Sequence, residues 1–178
     1  DVIWERRDHA DQVEAVAFMP DGRTVVSGGG QTVRLFDAAD GRPVGTRRGS
    51  EGRVYCLAVS PDGMRIAASG VGAVVRVWSA RDVDHAVLQR TKGEVNAAFW
   101  IDGDSAIATA SDDQFVRVLD AVTGEERERY ELPTPVYSLD VSPDGATFVA
   151  GCQWGQVVLI DRETGACLLY TSPSPRDL

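Results

Sequence analysis

Basic residues are scarce in this sequence. Lys and Arg total 18 against 27 Asp and Glu, a formal net charge of −9 over 178 residues. A field of that sign argues against non-specific binding to nucleic acid or to an anionic membrane, both of which need a basic face. Long apolar runs are also lacking. None approaches the roughly 18 residues of a membrane-spanning helix, and no N-terminal stretch joins a basic flank to an apolar core as a secretory signal does. Cysteine is limited to Cys56, Cys152 and Cys167. An odd set without CxxC spacing argues against both a disulfide framework and a zinc site. Buried free thiols in a reducing compartment are expected, hence an intracellular protein, cytoplasmic or nuclear. Histidine is limited to His9 and His85. That excludes a three-histidine metal site and leaves a Ser–His–Asp arrangement only those two candidates.

What is present is a repeat, and it is clearest from Val54 to Trp78. Val54 to Val59 is apolar and β-prone. Pro61-Asp62-Gly63 supplies turn chemistry: proline presets φ, aspartate bonds its own backbone, and glycine accepts positive φ. Arg65 to Ser69 is a second short run, Gly70 and Gly72 break the chain again, and Val74 to Trp78 is β-branched. Such short runs between turn signals predict an antiparallel meander. The opening valine recurs at Val13, Val54, Val95 and Val136, spaced by 41 each time. The turn aspartate recurs at Asp21, Asp62, Asp102 and Asp144, and the third strand ends at Asp37, Ser79, Asp120 and Asp161. Three independent anchors share one period. The third unit looks one residue shorter in its first strand. Further runs at Arg42–Thr46, Ala86–Gln89 and Arg127–Tyr130 offer a fourth strand per unit.

A period near 41 with four strands per unit resembles the WD repeat of β-propellers. Asp8-His9 followed by Asp11-Gln12-Val13 is similar to the opening of such a unit, and SDDQFVRVLD (Ser111 to Asp120) to its ending. TVRLFD (Thr32 to Asp37) and VVRVWS (Val74 to Ser79) are similar to its third strand. The resemblance implies an all-β fold: a β-propeller fragment of four four-stranded antiparallel blades, an open part of a larger propeller of about seven blades. The repeats are expected at 8–48, 49–90, 91–131 and 132–170. Residues 1–7 stand where the outer strand of a missing preceding blade would lie, and 171–178 form an unstructured tail. The first residue is Asp1, so a fragment or a processed chain is expected. The stretch Cys167 to Asp177 (CLLYTSPSPRD) is similar to the translated read-through of a sequencing adapter, with a Ser/Pro-rich linker as the other reading. Within it, Cys167 to Tyr170 can still pair as an outer strand.

WD blades often carry a His, Ser/Thr, Asp, Trp hydrogen-bond network, and here it is never complete. His9 has Gly30 and Phe36 as companions, Trp78 has Ser50 and Gly72, Asp113 has Thr91 and Leu119, and the fourth unit has Leu132, Trp154 and Ile160. A half-built buried polar network costs more than an apolar one. Blades held by apolar packing are therefore expected, with Asp113 bonded to a backbone N–H of its own turn.

Catalytic chemistry is not evident. His9 reads as a blade-turn residue and His85 as a solvated one. Gly28-Gly29-Gly30 precedes a strand and not a helix, so it reads as a turn and not a phosphate cradle. Asp102/Asp104 and Asp112/Asp113 read as solvated turn carboxylates, since acid–base work needs a shared pocket. Glu125 to Arg129 reads as an exposed outer strand. No cofactor is implied.

The expectation is a non-enzymatic scaffold or adaptor that binds protein partners through loops on stiff blades. The propeller of a larger enzyme, and a quinoprotein-like or lactonase-like propeller with SPDG turns, are the other readings. The layout of residues 87–161 is also similar to the serine/threonine kinase receptor-associated protein family, which implies assembly of ribonucleoprotein or signalling complexes. The candidate partner-binding residues flank each opening valine: Gln12 and Glu14, Arg53 and Tyr55, Glu94 and Asn96, Pro135 and Tyr137. Asp112 and Gln153 join them from the turn between second and third strands. Tyr55 and Tyr137 are the expected anchors, because tyrosine and arginine dominate interface energetics.

Overall fold

The computed structural model describes residues 2–48, 50–81 and 85–171. It holds four sheets of four antiparallel strands, each in sequential order. Blade 1 is β1 (Val13–Phe18), β2 (Thr24–Gly29), β3 (Thr32–Asp37) and β4 (Pro43–Arg47). Blade 2 is β5 (Val54–Val59), β6 (Arg65–Gly70), β7 (Val74–Ser79) and β8 (His85–Arg90). Blade 3 is β9 (Val95–Ile101), β10 (Ala106–Ser111), β11 (Phe115–Asp120) and β12 (Glu126–Glu131). Blade 4 is β13 (Val136–Val141), β14 (Thr147–Cys152), β15 (Gln156–Asp161) and β16 (Cys167–Thr171). The all-β propeller architecture is therefore the one expected.

The turns form for the local reasons read from the sequence. Asp21 Oδ1 accepts the Arg23 N–H at 2.8 Å, Asp62 Oδ1 the Met64 N–H at 2.8 Å, and Asp144 Oδ1 the Ala146 N–H at 3.1 Å. Gly22, Gly63 and Gly145 follow with φ of 66°, 69° and 73°, a region glycine enters without steric cost. Blade 3 corrects the expected short first strand. β9 has seven residues where β1, β5 and β13 have six. Ile101 pairs with Ala106, and the matching residues Met19, Ser60 and Ser142 donate at the same place to Thr24, Arg65 and Thr147, so the first strand of blade 3 is no shorter than the others. The turn then carries Asp102, Gly103 and Asp104 all at positive φ.

The first strands pack on one another in the order β1, β5, β9, β13, and so line the propeller axis. Blade faces meet in three apolar clusters. One joins blades 1 and 2 through Val26, Val33 and Leu35 with Ile66, Ala68 and Trp78. A second joins blades 2 and 3, and a third joins blades 3 and 4 around Phe148. Middle strands are covered on both faces, which is why β10 reads AIATAS with every residue buried. Each large apolar side chain removed from water at these seams is worth about 1.5–3 kcal/mol.

The arc ends are bare. Val16 and Phe18 of β1 are 69% and 63% exposed, whereas their counterparts Leu57 and Val59 pack into the first seam. Val149 and Val157 of blade 4 are exposed on the other end. Residues 2–7, read above as an outer strand, have no neighbouring strand to pair with and form none. Trp4 instead tilts against Phe36 at 6.2 Å and donates to the Ala38 carbonyl at 2.9 Å. At the other end β16 runs to Thr171, one residue into the expected tail. The expectation for 172–178 and for the His85 side chain lies outside the described residues.

Candidate functional site

The rim where the first strands begin has one recurring feature. In every blade the ladder between first and second strands skips the residue after the opening valine. Val13 pairs with Gly29 and Ala15 with Gly28, leaving out Glu14. Val54 pairs with Gly70 and Cys56 with Ser69, leaving out Tyr55. The same slip leaves out Asn96 in blade 3 and Tyr137 in blade 4. A bulge of this kind re-aims the extra side chain away from the pleat. Four of the candidate residues are thus the four bulge residues, one per blade.

Their neighbours tie adjacent blades together. Arg53 of blade 2 reaches Asp11 at 3.1 Å and Glu14 at 3.7 Å in blade 1. Tyr55 leans toward Glu94 of blade 3; partial burial first, then that carboxylate, push its phenol up. Asn96 Nδ2 donates to Asp112 Oδ1 at 2.7 Å and to the Val136 carbonyl of blade 4 at 2.9 Å. The turn between second and third strands does reach this rim: Asp112 N–H donates to the Glu94 carbonyl at 2.9 Å, and Gln153 N–H to the Pro135 carbonyl at 3.0 Å. Gln12 is exposed, and Tyr137 is half-exposed. A shallow hollow lies between Asp11, Gly30, Arg53, Tyr55, Val71 and Glu94.

Sequence reasoning missed Trp154 as a rim residue. It sits at φ 60° in the β14–β15 turn, 81% exposed, beside Gln153. The available signal was a bulky aromatic in a slot where the other units put Gly30, Gly72 and Asp113.

The polar groups around the blades correct a second expectation. Apolar packing is joined by buried arginine. Half-buried Arg34 and buried Arg76 and Arg117 occupy one position in β3, β7 and β11. Arg117 grips Asp113 through two bonds of 2.9 and 2.8 Å, with both side chains under a tenth exposed, and its Nε lies 3.2 Å from Glu126. Asp113 also accepts the Phe115 N–H of its own turn at 3.3 Å, as expected, and the Lys92 N–H at 3.2 Å. Burial pushes the Asp113 carboxyl up, but Arg117 and the Lys92 N–H outweigh it and the net displacement is downward. Arg76 pairs with Glu51 at 2.9 Å, and Arg90 joins at 2.8 Å. Hydrogen bonds from Arg90 and then Arg76 hold the Glu51 carboxyl at about 2.

The remaining candidates are structural. His9 Nδ1 donates to the Gly29 carbonyl at 3.0 Å, so Nε2 accepts from Ser27 Oγ at 2.8 Å. Burial lowers its pKa, which keeps the ring neutral. Asp102 is held by Arg162 and Asp112 by Asn96, whereas Asp113, expected in solvent, is buried because Arg117 pairs with it. Cys56 and Cys152 are buried as expected; Cys167 is exposed, because it opens an outer strand. Burial pushes the Cys56 thiol up to about 12.

Comparison with known proteins agrees with this geometry. The profile of the family described as WD domain, G-beta repeat, matches residues 2–37, 41–79 and 127–161. Most of blade 3 falls outside those matches, though it folds as the others do. The guanine nucleotide-binding protein subunit beta of Oryza sativa subsp. japonica is 28% identical over 172 residues, covering 86% of this chain and 45% of that protein. The target of rapamycin complex subunit wat1 of Schizosaccharomyces pombe is 29% identical over 147 residues, covering 80% of this chain and 46% of that protein. The intraflagellar transport protein 122 homolog of Danio rerio is 32% identical over 76 residues, covering 42% of this chain and 6% of that protein. The chain thus spans less than half the length of these relatives. Four radial four-stranded blades and repeat matches over more than half the residues lead to one conclusion: the chain belongs to the WD domain, G-beta repeat family.

Proposed function

We propose that this chain is part of a non-enzymatic scaffold that holds protein partners on the bulged rim. The observation that carries the reading is the repeated bulge. It offers Glu14, Tyr55, Asn96 and Tyr137 from four rigid strands in one row. Side chains placed by strands are set more firmly than side chains on loops. Tyr137 and Trp154 are the exposed aromatic anchors, with Arg53, Glu94 and Asp112 as charged neighbours. Two of the relatives are by name subunits of larger assemblies, which supports the scaffold role. Tyr55, bonded toward Glu94, contributes less than Tyr137.

The test is the double replacement Tyr55→Ala and Tyr137→Ala in the full-length protein. Partner capture should fall while the melting temperature stays within about 2 °C, since Tyr137 is half-exposed and neither tyrosine belongs to an apolar seam cluster. A fall of several degrees, with capture intact per folded molecule, would show that both tyrosines serve packing and would move the site elsewhere.

A further inference from the structure

At the opposite rim, where first strands end, an arginine crosses each seam between the described blades, each time from a different place in the repeat. Between blades 2 and 3 it is Arg65, the first residue of β6. Its Nη2 donates to the Asp104 carbonyl at 2.7 Å, its Nη1 lies 3.4 Å from the Ala121 carbonyl, and its guanidinium stacks 4.6 Å over Trp100. Between blades 3 and 4 it is Arg162, reaching back from blade 4. It pairs with Asp102 at 3.0 Å and Glu128 at 2.7 Å and lies over the Phe148 ring.

The seam between blades 1 and 2 is crossed by a different arginine, Arg47 of β4, which leaves the positions of Arg65 and Arg162 to smaller residues. Thr24 opens β2 where Arg65 opens β6. Val59 faces Ile66 in the ladder where Trp100 faces Ile107. Ala80 follows β7 where Arg162 follows β15. Thr24 and Ala80 border a groove of about 320 Å³, the lower end of the roughly 300–1,000 Å³ of ligand pockets. Its walls are Met19, Leu35, Val44, Met64 and Ala80, and its mouth carries Asp21, Asp62 and Arg81. Among the described residues it is open: Val44 and Met64 are 57% and 44% exposed. Arg47 crosses nearby to the Ser79 and Ala80 carbonyls and does not line it.

We infer that this groove is a second docking site, for an extended segment of a partner protein presenting a tryptophan next to an arginine. The chain itself shows that an indole and a guanidinium fit together in the equivalent seam. Charge agrees: two carboxylates against one arginine at the mouth, on a chain of net −9. Two flexible methionine side chains suit an aromatic guest, with favourable sulfur–ring contacts. The inference rests on the scaffold reading but uses the end of the propeller opposite the bulges.

The two methionines of the chain both line the groove, so methyl-labelled methionine gives two NMR signals that report on it, Met64 from its exposed wall and Met19 from its junction with the core. The probe is the capped peptide Gly-Ser-Arg-Trp-Gly-Ser. Both methyl signals should shift by ring current and saturate with a Kd of roughly 1 mM, as one aromatic anchor and an exposed ion pair provide. Replacing the peptide tryptophan by alanine should weaken binding at least tenfold, and replacing its arginine by glutamate several-fold. Thr24→Arg places this chain's own arginine in the groove and should abolish the shifts. The Tyr55→Ala, Tyr137→Ala protein should shift as wild type, which separates a failure here from a failure of the rim. Equal shifts with the alanine peptide, or none at about 5 mM peptide, would overturn the inference on the wild-type protein alone, whatever the folding of the Thr24 variant.

Discussion

The buried Arg117–Asp113 pair allows a quantitative test of how blade 3 is held. Asp113→Ala leaves a guanidinium that is 7% exposed facing Glu126 at 3.2 Å and the Phe115 ring at 4.8 Å. Breaking a buried pair from one side costs about 3–5 kcal/mol. The residual Glu126 contact puts this case near the lower limit, about 3 kcal/mol. Arg117→Val leaves Asp113 with the Lys92 and Phe115 N–H groups and should cost about 2 kcal/mol. Blade 4 carries Val158, fully buried, at the arginine position and Trp154 at the aspartate position. An apolar side chain therefore already packs at the arginine position within this molecule. The double variant Asp113→Ala, Arg117→Val should lie within about 1 kcal/mol of wild type, because it removes both charges together. Urea unfolding followed by tryptophan fluorescence supplies all four corners of the cycle, and a coupling of at least about 4 kcal/mol is expected. In thermal melts the single aspartate variant should lose about 6–12 °C for a chain of this size. The folded-state pKa of Asp113 is lowered, so the unfolded state binds its proton first as the medium turns acid. The contribution is complete above an unfolded pKa of about 3.9 and is lost as pH falls through the folded value. The gap between wild type and Asp113→Ala should therefore close below about pH 4. Additive single effects, or a loss under about 1 kcal/mol for Asp113→Ala, would refute the claim that the pair is buried and coupled.

Two further outcomes follow from exposure. Val16→Thr with Phe18→Ser should change stability by less than about 1 kcal/mol, since both side chains already face solvent; it should reduce self-association in sedimentation velocity, because it removes the apolar end face. In the native protein a thiol reagent at pH 8 should modify Cys167 and spare Cys56, whose thiol stays protonated; rapid modification of Cys56 would contradict its burial.

Short-range signals made much of this protein legible from sequence alone. The period, the sixteen strands and the turns each depend on residues within one hairpin. Asp21 bonding Arg23 and Gly22 at positive φ are decided within three positions. The candidate rim residues were found because a spacing of 41 repeats the same place on each blade. What the sequence could not show is how blades meet. Arg162 and Asp102 lie 60 positions apart, and Arg65 and Asp104 39 apart. No local pattern announces such pairs, because blade packing and not chain neighbourhood brings them together. The bulges belong to the same class. Glu14, Tyr55, Asn96 and Tyr137 differ in chemistry yet share one slip of the ladder, which depends on the register of the partner strand. Composition carried a repeat unit able to form a blade. Tertiary packing decided how an arginine reaches across each seam, from Arg47, Arg65 or Arg162, because that depends on groups contributed by different repeats.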